Sequence, residues 1–110
     1  MTAIPLGLVV VPTAGTPVPL TLTAAQQALL NSRGQCWKVE VWPNPAATGK
    51  VYVKNTATGS ILATLPVPSG GYPIPWQSSA PDMVNVQLPG AFALDVATNG
   101  DGAYVTLWVI

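Results

Sequence analysis

The sequence has no histidine, one cysteine and only eight charged side chains in 110 residues. Each shortage removes a class of function. Without histidine the commonest general base is gone, and with it the Ser-His-Asp and Cys-His arrangements. A zinc site lacks its usual ligands. Cys36 cannot close an intrachain disulfide, because there is no second cysteine. Its place between Gln35 and Trp37, inside a strand pattern, reads as a small buried apolar residue. Arg33, Lys38, Lys50 and Lys54 are balanced by Glu40, Asp82, Asp95 and Asp101, giving a net charge of zero. That balance lacks the Lys/Arg cluster that neutralises phosphates, so no nucleic-acid partner is expected. A polybasic membrane patch is missing for the same reason. Long hydrophobic runs are absent too. The longest, Leu6 to Val11, is far too short to cross a bilayer, and Pro5, Pro12, Pro17 and Pro19 oppose a helix there. The stretch from Met1 to Ser32 carries no charged side chain, so it lacks the basic start of a signal peptide.

Apolar residues are plentiful. They make up 49% of the chain, the mean hydropathy is +0.41, and charged residues reach only 7%, against roughly 25% in an ordinary soluble domain. A folded chain of this mass exposes on the order of 5,800 Å². Eight charges cover that area thinly, so apolar side chains must reach the surface. Apolar patches on a surface mark contact sites, and zero net charge removes the self-repulsion that keeps molecules apart. Both point to a chain that lives in an assembly.

Period-two alternation dominates. Val18 to Thr23 reads as a strand that Pro19 confines to an edge or a strand start. Ala24 to Asn31 is the one helix-prone segment, one or two turns capped by Thr23, with an irregular loop as the alternative. Gln35 to Trp42 places Trp37, Val39 and Val41 on one face and Cys36, Lys38, Glu40 and Trp42 on the other. Gly49 to Lys54 and Ser60 to Leu65 flank an Asn55–Gly59 turn. Pro66 to Trp76 holds too many prolines for a helix or a central strand, so it reads as an ordered loop presenting Tyr72 and Trp76. Asp82 to Leu88 and Ala91 to Ala97 alternate again, the latter with Phe92, Leu94 and Val96 inward. Thr98 to Gly102 is a hairpin turn. The last strand, Ala103 to Ile110, carries Ala103, Val105, Leu107 and Val109 on one face. Tyr104, Thr106, Trp108 and Ile110 lie on the other, and both faces are expected to be covered. Seven to eight short strands with regular turns predict an all-β antiparallel β-sandwich or jelly roll. Residues 1–17 are expected to form an extended arm, and residues 18–110 one domain.

No catalytic or metal site and no cofactor is expected. Glu40 beside Lys38 reads as a solvated charged stripe rather than half of a glycosidase acid pair. Asp95, Asn99 and Asp101 gather hard oxygens that a calcium ion would accept, but a turn role accounts for Asn99 and Asp101. Trp37 fits the core. Trp42, Tyr72, Trp76 and Trp108 are candidate interface anchors, because large rings outside a core bury much area at little entropic cost. Wrapping inside the sandwich and carbohydrate stacking on Trp42 or Trp76 are the alternatives. Ile4, Leu6, Val9 and Val11 on the arm are further candidates, by adding a strand to a neighbour's sheet edge.

One order of segments ties these together. An apolar N-terminal stretch leads to W-x-V-x-V (Trp37 to Val41) and then G-x-V-Y-V (Gly49 to Val53). A Pro/Gly/Ser-rich loop (Pro66 to Pro75) follows. The chain closes with an N-G-D-G turn (Asn99 to Gly102) and Y-V-T-x-W (Tyr104 to Trp108). Over residues 18–110 the chain resembles small bacteriophage virion β-sandwich proteins, of the capsid decoration (cement) or fibre-associated type. The long 66–76 loop and the helix-prone 24–31 segment depart from that pattern. The resemblance implies a non-enzymatic protein on the virion's capsid surface, made in the bacterial host cytoplasm. Its partners would be the major capsid protein and copies of itself, as a trimer or dimer, with no nucleic acid, membrane or small-molecule substrate. A carbohydrate- or receptor-binding module of a phage tail fibre is the alternative.

Overall fold

A computed structural model describes residues 2–33, 36–78 and 92–109. Two four-stranded antiparallel sheets pack face to face as an all-β sandwich. Sheet A has the order β1 (Thr2–Val10), β8 (Gly102–Val109), β3 (Cys36–Pro43), β6 (Trp76–Gln77). Sheet B has the order β2 (Val18–Pro19), β7 (Phe92–Val96), β4 (Val51–Asn55), β5 (Ile61–Leu65). The alternation read from the sequence decides which side chains meet between the sheets. Val39, Val41, Val105, Leu107 and Val109 come from sheet A, and Val51, Val53, Leu65, Phe92, Leu94 and Val96 from sheet B. All belong to one buried cluster. β-branched residues suit these positions, because they pack stiffly on a pleated surface.

The turns follow local chemistry. Asn55 Oδ1 accepts the amides of Ala57 and Thr58, and Gly59 N donates to Asn55 O, closing the β4–β5 turn. The helix-prone segment forms α1 (Ala24–Arg33), longer than the one or two turns expected. It opens on a reciprocal capping box: Thr23 Oγ1 accepts from Gln26 N, and Gln26 Oε1 accepts from Thr23 N. Gln26 Nε2 also donates to Pro5 O, tying the helix to β1, and Leu30 reaches the core.

Three expectations are corrected. Residues 2–10 are extended, as expected, but they belong to the sandwich rather than to an arm outside it. They pair with β8 from Thr2↔Val109 to Val10↔Gly102, with one bulge between Pro5 and Gly7. Four prolines in the first nineteen residues hid this, but an edge strand needs amides on one side only, which leaves room for Pro5. Ile4 and Val11 are buried in the chain's own core, and Leu6 and Val9 pack against it; none of the four projects as a free docking residue. The strand at 18–23 shortens to Val18–Pro19 at the edge of sheet B. The second face of the last strand is covered only in part, since Tyr104 is exposed while Thr106 and Trp108 are half-buried. The expected strand at 82–88 and the side chains of Cys36 and Trp37 lie outside the described residues.

Candidate functional site

The outer face of sheet A follows from the register. β8 contributes Tyr104, Thr106 and Trp108. β3 sets Trp42, Glu40 and Lys38 directly opposite them, and β1 sets Leu8, Pro5 and Ala3 opposite on the other side. One cross-strand row therefore reads Leu8, Tyr104, Trp42. These side chains are 42%, 46% and 41% exposed, and Val10 beside them is exposed too. Side chains directly opposite in an antiparallel pair lie about 5 Å apart at Cβ, so the row is one apolar strip. Trp42 Nε1 donates to Glu40 Oε1 at 2.9 Å. That bond satisfies the indole and fixes its plane while leaving the ring in solvent. In the adjoining rows Lys38 Nζ donates to Gln77 Oε1 at 3.2 Å and lies 5.4 Å from the Trp108 ring centroid.

A second exposed group lies where the chain crosses from sheet B to sheet A. β5 and β6 are edge strands of the two sheets, and residues 66–75 bridge them. Gly70 and Gly71 both take positive φ, 60° and 79°, which side-chain-bearing residues resist. They form a tight turn closed by Tyr72 N donating to Ser69 O at 3.1 Å. The turn holds Tyr72 at 80% exposure, followed by exposed Ile74. Ile61, Leu62 and Val67, on β5 and just after it, are exposed as well. Prolines 66, 68, 73 and 75 stiffen the crossing.

This chain matches no protein-family model, no curated protein and no solved structure.

Of the anchors expected from the sequence, Trp42 and Tyr72 stand in solvent. Trp76 does not. It faces the core and meets Phe92 edge-to-face, with centroids 6.0 Å apart and planes at 65°. The loop ends in β6, whose pairing with Val41 turns the ring inward. Trp108 is half-buried, and its Nε1 is enclosed without a hydrogen-bond partner. Tyr104, Leu8 and Val10 were not singled out from the sequence. Their signal was present, since Tyr104 alternates with the buried Ala103 and Val105, but alternation does not say whether an outer face is covered.

The oxygens that invited a calcium reading have other work. Asp101 Oδ2 accepts the amides of Thr48 and Gly49, and Asn99 Oδ1 accepts that of Ala14. Asp95 Oδ1 accepts from Gly15 N and Val96 N, and Oδ2 lies 2.6 Å from Lys54 Nζ. They pin two loops onto the β7–β8 turn. Burial pushes the Asp95 carboxyl up, but the hydrogen bonds from Lys54, Val96 and Gly15 and the Lys54 charge outweigh it and hold it below its ordinary value. Among the described residues no three His, Cys, Asp or Glu side chains group as a metal site. Glu40 has one oxygen bonded to an indole and no second carboxylate opposite it across either neighbouring strand.

Proposed function

We propose that this chain is a structural virion protein that decorates a bacteriophage shell and works by adhesion, without catalysis. One observation carries the reading. Ten large apolar or aromatic side chains are exposed among the described residues, on a chain with eight charged residues in all. The stiffened 66–75 crossing, with Tyr72 at its tip, is the docking element. A large ring on a pre-formed turn suits an interface hot spot. Many copies on one shell, each burying apolar area at about 25 cal/mol per Å², would clamp neighbouring capsomers together. The assignment to a phage shell rests on the segment order Trp37 to Val41, Gly49 to Val53 and Asn99 to Trp108.

The test is co-sedimentation of the purified protein with DNA-free bacteriophage shells. Saturable binding that falls about tenfold in Tyr72→Ser/Ile74→Ser is expected. Absence of binding to every shell tried would overturn the reading, and so would binding indifferent to that double variant.

A further inference from the structure

We infer that the outer face of sheet A is a docking surface for a second copy of this chain, forming a two-fold dimer. The face is built from Leu8, Tyr104 and Trp42 with the flanking Pro5, Thr106 and Trp108. Sheets bury their faces by stacking about 10 Å apart, and a sandwich admits a further sheet by the same geometry. Several features select a second copy as the occupant.

The first is self-complementarity. Consider a two-fold axis running along β8, the middle of the three long strands. It lays the exposed row on itself in reverse, so that Trp42 of each copy covers Leu8 of the other and Tyr104 meets Tyr104. The same operation sets Lys38 and Glu40, the two charged residues on the β3 side, over Ala3 and Pro5 of the partner. Among the described residues no like charges meet. An axis across the strands is worse, since centring it on the Glu40 row brings two Glu40 carboxylates together. A symmetric contact of this kind closes at two copies rather than growing into a fibre.

The second is area. Three long strands about 4.8 Å apart and about 27 Å long give this face a footprint on the order of 400 Å², against about 800 Å² per partner in a standard interface. That suits a reversible, concentration-dependent dimer. The third is charge. With a net charge of zero, long-range repulsion does not oppose the encounter.

Sedimentation velocity from about 1 to about 500 µM tests it. Wild type is expected to pass from monomer to dimer over that range. Leu8→Glu and Trp42→Lys should each lower the association constant by about tenfold or more. A one-to-one mixture of the two variants should recover a heterodimer, because one contact keeps Trp42 on Leu8 and the other pairs Glu with Lys. A folding defect would not be rescued by mixing. Tyr72→Ser/Ile74→Ser should dimerise as wild type does, which separates this inference from shell binding. A wild-type monomer throughout the range would overturn it, and so would a mixture that stays monomeric. Retention on immobilised glycans by such a monomer, lost in Trp42→Lys, would give the face to a sugar instead.

Discussion

Lys54 Nζ reaches diagonally across the β4–β7 pair to Asp95 Oδ2, 2.6 Å away, with the lysine side chain 19% and the carboxylate side chain 4% exposed. The same carboxylate holds the amide of Gly15. One buried side chain thus joins a strand to the loop that follows β1. Removing it orphans the Gly15 amide and leaves Lys54 without its counter-charge. Asp95→Ala is expected to cost about 3 kcal/mol, a large share of a domain's total stability. Asp95→Asn, which keeps an oxygen for Gly15, should cost about half of that. Urea unfolding of the two variants measures the difference; equal losses would mean that the charge contributes and the Gly15 bond does not.

The same residue sets the acid response. A carboxyl held below its ordinary value in the folded state stabilises fully above the unfolded value, near pH 4. Its contribution is lost as pH falls through the folded value. There is no histidine to titrate between pH ~5 and ~8. Urea midpoints should therefore stay level across that window and drop below pH ~4. The drop should be shallower in Asp95→Asn. A midpoint that shifts between pH ~6 and ~7 would contradict this account.

Gly102 opens β8 and pairs with Val10 of β1. A Cβ built there runs into the Val9 carbonyl oxygen and lies 3.0 Å from Val10 Cα. Both are backbone atoms, so neither can swing aside. Gly102→Ala should part the β1–β8 edge and cost about 3 kcal/mol, the upper range for overpacking. Amide exchange checks it, with protection lost first along residues 7–10. At Gly49 an added Cβ meets the Thr98 side chain instead, with Oγ1 2.5 Å away. That hydroxyl can rotate, so Gly49→Ala should be the milder of the two.

Trp108 encloses an indole N–H that has no acceptor. An unpaired buried donor costs about 1–3 kcal/mol. Trp108→Phe removes the donor and keeps most of the ring, so its stability should equal or exceed that of wild type. Trp108→Ala should lose about 3 kcal/mol. A Phe variant as unstable as the Ala variant would show that the N–H is satisfied after all.

Strand alternation, the Asn55–Gly59 and Asn99–Gly102 turns and the Thr23 cap were legible in the sequence, because each depends on residues close together in the chain. Val39 and Val41 against Trp42, or Val51 and Val53 against Tyr52 and Lys54, sort onto faces by the two-residue period alone. Trp42 was legible as an outward ring by the same period, and Tyr72 by its place in a proline-rich loop. What lies across a strand is set by pairing between residues far apart in sequence, and only the tertiary structure decided that. It took Thr2–Val10 into the chain's own sheet, turned Trp76 inward through its pairing with Val41, buried Asp95 under the 12–16 loop and left Tyr104 uncovered. A local pattern fixes which side chains share a face; whether that face meets protein or water depends on the partner strand, loop or sheet that long-range packing brings to it.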